Sequence, residues 1–317
     1  MATPSGFDSQ IGYAAEGTLG TYQAPTRTIE HVKETLKYHK ERIESAGIKA
    51  GRRFGSGLWQ AGREWVDGTI THELSAANIG LLLKNHFGAV ATTGSDPYEH
   101  EFTAGSGVEA GLTIQVGRPD LAGTVQPFSY LGCHIPKIKI SSEIGKNAML
   151  EMDVYGQYED TGQSLASTAY PSDWAPFCFL HGVLTIGGSE YEFDKFSFES
   201  ANGLMTGRHT HRTTTPGRPR GGKESGLRTA GGQIDGEFIS LTAYNRFRNG
   251  TEAALVLTFD AGSSAQLEIS GNVRFDGDTP NVDGPQMLKQ MLPFKFLSTT
   301  DDDTALTVTL TNGDSTP

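Results

Sequence analysis

Apolar and polar positions alternate with a period of two through several stretches of this chain. Ile138 and Ile140 alternate with lysines in 137–141, and Leu255, Leu257 and Phe259 take every second place in 254–260. Leu306, Val308 and Leu310 interleave with threonines in 305–311, and 149–155 and 191–199 follow the same rule. Successive side chains of a strand point to opposite faces, so each stretch predicts a β-strand with one buried face.

Helical spacing is rarer. Ile79, Leu82, Leu83 and Phe87 fall on one helical face, with Ser75 placed to cap its start and Gly88 to take the left-handed conformation at its end. Residues 242–250 predict a shorter helix of the same kind. In 28–46, Ile29, Val32, Leu36 and Ile43 suit an amphipathic helix, but comparison within the chain favours extended backbone over 36–45. Residues 160–176, rich in Ser, Thr, Gly and Pro, read as a linker.

That internal comparison rests on three segments that recur in the same order. Residues 44–52, beginning Glu44-Ser45-Ala46, are answered by 199–208, beginning Glu199-Ser200-Ala201, with one residue inserted, and 66–76, with Asp67-Gly68, by 234–243, with Asp235-Gly236, with one deleted, the latter pair each followed by a helix. Less closely, 149–155 is answered by 291–297. The predicted fold is therefore mainly β with short helices, two similar domains in tandem: 1–165, with an N-terminal arm, and 166–317, with a long basic insert at 208–228.

Composition supports a folded, turn-rich protein: 317 residues, 40 of them glycine, with 20% charged. Neither a signal peptide nor an apolar run long enough to span a membrane is evident, which predicts a protein made in a cytoplasm. Cys133 and Cys178 lie among apolar neighbours and read as free thiols. The formal charge is −11, but 208–228 holds six basic residues and one acidic, leaving −16 on the rest. A generally acidic surface repels DNA, and one basic loop does not reverse that.

Motifs with chemical meaning fall short. Gly217 to Lys223 has the spacing of a phosphate-cradling loop, but Glu224 stands where a magnesium-binding hydroxyl is needed, and neither a strand before it nor a helix after it is predicted. His209 and His211 lack a third ligand nearby. His72-Glu73 begins a zinc-protease pattern that Ala76 ends, and the pair is expected to face outward; Asp301, Asp302 and Asp303 read as a solvated turn rather than a calcium loop. The sequence therefore predicts no enzyme, no cofactor and no metal.

Several blocks nevertheless carry a resemblance. Ile11-Gly12, Glu16, Gly20-Thr21, Pro25-Thr26-Arg27, Glu44-Ser45, Gly51-Arg52, the Asp67-Gly68 strand and Leu81-Leu82-Leu83, with the later blocks 241–247, 250–255, 273–277 and 292–295, resemble the major tail tube proteins of long, non-contractile phage tails, particularly phages of actinobacteria. The resemblance implies a β-sandwich or barrel domain whose strands join neighbouring subunits into a closed lumenal β-barrel. It implies rings that stack into a virion tail tube, with tail terminator, tape measure and distal tail proteins as partners. DNA would pass through the lumen unbound. With two domains per chain, three chains complete a pseudo-sixfold ring; six single-domain chains are the alternative. Tail length would be set by a separate ruler.

Within that frame Glu151 and Asp153 are the candidate lumen-facing residues, with exterior solvent the competing placement. Arg208, Arg212, Arg218, Arg220, Lys223 and Arg228 form a candidate inter-ring or exterior basic loop. The rival functions are a carbohydrate- or cell-surface-binding β-sandwich using Trp59, Trp65 or Trp174, and a nucleic-acid-binding module using the basic loop.

Overall fold

Among the described residues every strand pairing is antiparallel. The computed structural model describes residues 5–55, 57–105, 111–172, 174–277, 279–282, 284–298 and 305–317, and all of these but the Lys223 side chain. At its centre seven strands lie side by side: Lys37–Glu44, Trp59–Glu73, Met149–Gly156, Val125–Glu143, Lys195–Ala201, Thr229–Glu237 and Lys289–Phe296.

The alternation seen in the sequence sets which face of this sheet is buried. Leu150, Met152 and Val154 point inward with Ile138, Ile140, Phe196, Phe198, Leu292 and Phe294, and all join one apolar cluster. Burying each such side chain stabilises the fold by roughly 1.5–3 kcal/mol. Phe196 stacks on Phe294 at 5.7 Å, and Phe198 meets Phe296 edge-on at 5.9 Å. Gly232 makes room beside them: a Cβ there would lie 1.8 Å from the Ser197 carbonyl oxygen.

A second layer covers the buried face. Over the first half it comprises Arg27–Ile29, Gln10–Ala15, Leu112–Pro119 and the opening part of Val125–Glu143. Over the second it comprises Gly182–Ile186, Ala253–Asp260, Gln266–Phe275, Leu306–Asn312, Tyr98–Ala104 and Gly88–Gly94. Val125–Glu143 and Gln266–Phe275 each begin in this layer and end beside the seven-stranded sheet, the way strands turn the corner of a sandwich.

Residues 37–44 form a strand, so the helical reading of 28–46 does not hold. The helix Gly80–Phe87 begins later than Ser75, because Leu74 is held by backbone bonds to Ala148 and Phe177, and the Asn312 side chain bonds Ala76. Gly88 ends it at φ 89°, in the left-handed region. Leu241–Asn249 is capped by Ser240 and ended by Gly250.

The two sets of recurring segments occupy related places. Asp67 faces Lys37 on one side and Tyr155 on the other, while Asp235 faces Lys195 and Met291. Val66 faces Tyr38 and Ile234 faces Phe196. This register makes Glu41, not Glu44, the counterpart of Glu199, and Tyr155, not Met149, the counterpart of Met291. The turn-rich motifs matched in sequence are displaced because loops were matched where strand pairing fixes the register.

Candidate assembly surface

The seven-stranded sheet turns its second face to solvent, and there the polar members of each alternation collect. Glu151 lies between Thr71 and Lys139, and Asp153 between Thr69 and Lys137. Both carboxylates therefore stand beside lysines on one polar face. Burial raises the Asp153 pKa; Lys137 opposes the shift, and Glu151 and Glu199 add to it.

Ion pairs cross this face where the two halves of the sheet meet. Lys195 reaches Glu143 at 2.8 Å, and Lys137 pairs with Glu199. Further along, Lys289 pairs with Asp194 at 3.0 Å and Lys295 with Asp276 at 3.2 Å. Hydrogen bonds from Lys146 and Lys195 hold the Glu143 carboxyl well below the usual range. The face that carries Glu151 and Asp153 interleaves both signs of charge.

Both ends of the sheet are open. Among the described residues no strand pairs with the outer edge of Lys37–Glu44. At the far end, Lys289–Phe296 meets Val273, Arg274 and Phe275 only through its last three residues, and no described strand covers that side from Lys289 to Leu292. Exposed apolar side chains sit at both ends: Ile43 and Trp59 at one, Val282, Met287 and Met291 at the other.

The basic insert folds back on the first half of the chain. Arg218 donates to Glu64 at 2.9 Å and lies over the Tyr158 ring at 3.2 Å. Burial would raise the Glu64 pKa, but hydrogen bonds from Tyr38 and Arg218 outweigh it and lower the value. Arg228 donates to the carbonyls of Phe87 and Gly105 at 2.7 and 2.8 Å, and pairs with Glu224. Arg208 donates to Gly221, and Arg212 to the carbonyls of Thr215, Arg218 and Pro219. Arg220, which donates to Thr210, is exposed. The Lys223 side chain lies outside the described residues, while its backbone pairs with Met205.

The other sequence candidates are spent on structure. Gly217 accepts the Glu64 amide with its carbonyl, and a two-residue strand, Lys223–Glu224, follows rather than a helix. His209 bonds the Gly217 carbonyl at 2.9 Å, and among the described residues no three His, Cys, Asp or Glu converge to hold a metal. His72, expected to face outward, is fully buried, because it shares the inward parity of Val66 and Ile70. Asp301, Asp302 and Asp303 lie outside the described residues. Trp65 stacks on His39 at 5.0 Å, Trp174 packs against His72, and Arg42 lies over the exposed Trp59 ring.

Two polar nodes, one part-buried and one buried, have no chemical motif in the sequence, although Glu16 stands in the block that carries the family resemblance. Arg118 holds Glu34 through two bonds of 2.9 Å, and donates to the Tyr130 hydroxyl and the Leu36 carbonyl. Glu16 accepts from Gly20, Thr113 and Gly132, and burial raises its pKa against these three bonds. Their partners lie up to 116 residues away, so no local spacing marks them.

Among the described residues the chain is an all-antiparallel β-protein with a charge-paired sheet face and an unpaired edge at each end of the seven-stranded sheet. The model of a family described as phage tail tube protein matches residues 6–296, nearly the whole chain, and the chain belongs to that family. It is a structural protein of the virion, placed in the phage tail, where members assemble with themselves into a tube. No curated protein matches the chain.

Proposed function

We propose that this chain is the repeating subunit of the tail tube of a long, non-contractile phage tail. Its copies close into rings, the rings stack, and DNA passes through the resulting channel during ejection. The family match over residues 6–296 carries this reading, and the open edge at each end of the seven-stranded sheet supports it. Closing a ring removes both edges.

Each chain supplies two tube domains, 1–165 and 166–317, so that three chains make a pseudo-sixfold ring. The matching registers of Asp67 and Asp235 favour this over six single-domain chains. The polar face carrying Glu151 and Asp153 lines the channel. DNA stalls where free cations exchange with its counterions, so a wall whose lysines are paired in place lets it pass. The ends of the tube meet the terminator, tape measure and distal tail proteins, and assembly takes place in the host cytoplasm.

Negative-stain microscopy of the concentrated protein tests the proposal. Hollow tubes or rings are expected; monomers that instead bind glycan arrays through Trp59 would replace it with the carbohydrate-binding reading.

A further inference from the structure

The strands Gly88–Gly94 and Tyr98–Ala104 form a hairpin with no counterpart in the second half of the chain. In each half a helix leads to two paired strands, the second of which passes from the outer layer to the seven-stranded sheet. Gly80–Phe87 leads to Leu112–Pro119 and Val125–Glu143, and Leu241–Asn249 to Ala253–Asp260 and Gln266–Phe275. Residues 250–252 make the link in the second half, whereas the hairpin stands in the link of the first. It lies against Leu306–Asn312 and widens the outer layer over the second half by two strands.

The outermost of these strands has a free side. Among the described residues Gly88–Gly94 pairs with Tyr98–Ala104 and with no other strand. Gly105 donates to the Phe87 carbonyl across the hairpin, so alternation turns the peptide groups of Ala89, Ala91 and Thr93 toward Tyr98–Ala104 and those of Val90 and Thr92 away from it. Exposed edges are commonly protected by charge, proline or a bulge. Residues 88–94 read Gly-Ala-Val-Ala-Thr-Thr-Gly and keep an unbroken register, so none of these protections is present.

The two faces of the hairpin define what fits beside it. Val90 packs on the apolar cluster at the inward face, while exposed Ala91 and Thr93 stand next to exposed Glu101 and Glu99 on the outward face. Across Thr309 the same row continues to Glu268. Arg274 is the one arginine or lysine in the six strands of this layer, and Asp276 takes it at 3.5 Å. We infer that the free side of Gly88–Gly94 is a docking surface for a different protein, which adds an extended segment alternating apolar and basic residues as one more strand. Its apolar residues would extend the cover beside Val90. Its lysines or arginines would meet Glu99 and Glu101 over the small Ala91 side chain, across two strand spacings of about 10 Å in all. A second copy is a poor source: among the described strands lysine alternates with apolar residues at 137–140, and that stretch is paired on both sides. The surface does not rest on the tube reading.

The test is a fluorescein-labelled heptapeptide alternating lysine and valine, titrated against the full chain by anisotropy at low salt. Saturable binding is expected, weakened about fivefold by Glu99→Gln with Glu101→Gln. Both glutamates are exposed, so the changes leave folding intact. Methylating the peptide nitrogens of the probe removes its backbone donors while keeping its charge, and should abolish binding. Equal binding by the methylated probe would show attraction by charge alone and overturn the docking surface, as would no binding by either probe. Binding that the dispersed chain shows and assembled tubes lose gives this edge to contact between copies, which also overturns it. Binding by both forms sustains it.

Discussion

His86 joins the two halves of the molecule by a hydrogen bond of 2.9 Å between its Nε2 and the Ser200 hydroxyl. Its Nδ1 lies 3.0 Å from the Ile135 carbonyl, which only accepts, so Nδ1 carries the proton and Nε2 accepts from Ser200. Asn202 adds two bonds at the same place, donating to the carbonyls of His86 and Ile135. A neutral imidazole is thus built into the internal seam.

Acid should loosen the fold through this and two other histidines. Burial holds the pKa of His72, His86 and His134 at about 4, against 6.5 for an unburied imidazole. A histidine whose pKa folding depresses is protonated more readily in the unfolded chain. Its contribution is intact above pH 6.5 and is lost as the pH falls toward 4, at about 3 kcal/mol for each histidine. Urea midpoints should drop steeply between pH 7 and pH 4.5; a flat profile would contradict the burial of these rings.

His134 separates electrostatics from packing. Neither of its ring nitrogens has a hydrogen-bond partner, so an apolar residue of similar size loses no bond. His134→Leu should leave stability at pH 7 within about 1 kcal/mol of the parent and reduce the acid-induced loss by roughly a third. Denaturation curves of the variant at both pH values provide the check.

Arg118→Met should cost about 2–4 kcal/mol, because it leaves the Glu34 carboxylate, largely shielded from water, without its bidentate partner. The paired change with Glu34→Gln should recover part of that loss. A double-mutant cycle in urea measures the coupling, and additive effects would show that the pair carries none.

Gly232→Ala should destabilise by about 3 kcal/mol or prevent folding, since the new methyl meets a backbone oxygen in the neighbouring strand. Gly226→Ala, where a Cβ meets nothing, is the matched control and should change the thermal midpoint little.

The charge pairing of the polar face predicts a gain of DNA binding. Glu199→Gln with Glu143→Gln frees Lys137 and Lys195 from their partners. The variant should retain duplex DNA at low salt and release it as salt rises, with the parent retaining little. Filter binding across a salt series is the measurement, and equal retention by both proteins would remove the proposed role of the pairing.

These relationships were legible in the sequence to different depths. Alternation is local, so the strands at 137–141, 149–155, 254–260 and 305–311 could be read directly. The start of the first helix could not, because Asn312, far along the chain, holds Ala76 out of it. His72 lies inside, against its expected outward place, because it shares the parity of Val66 and Ile70 along the strand. The Arg118 and Glu34 pair spans 84 residues, and the insert's arginines bind carbonyl groups or, like Arg218 with Glu64, a distant carboxylate, so neither leaves a trace in local composition.

Electron cryo-microscopy of tubes assembled from the purified chain, at a resolution that shows side chains, tests the account most directly. It predicts three chains and six similar lobes in each ring, with Asp153, Lys137 and Glu199 on the wall of the channel. Six chains per ring, or a channel lined by any other face, would contradict it.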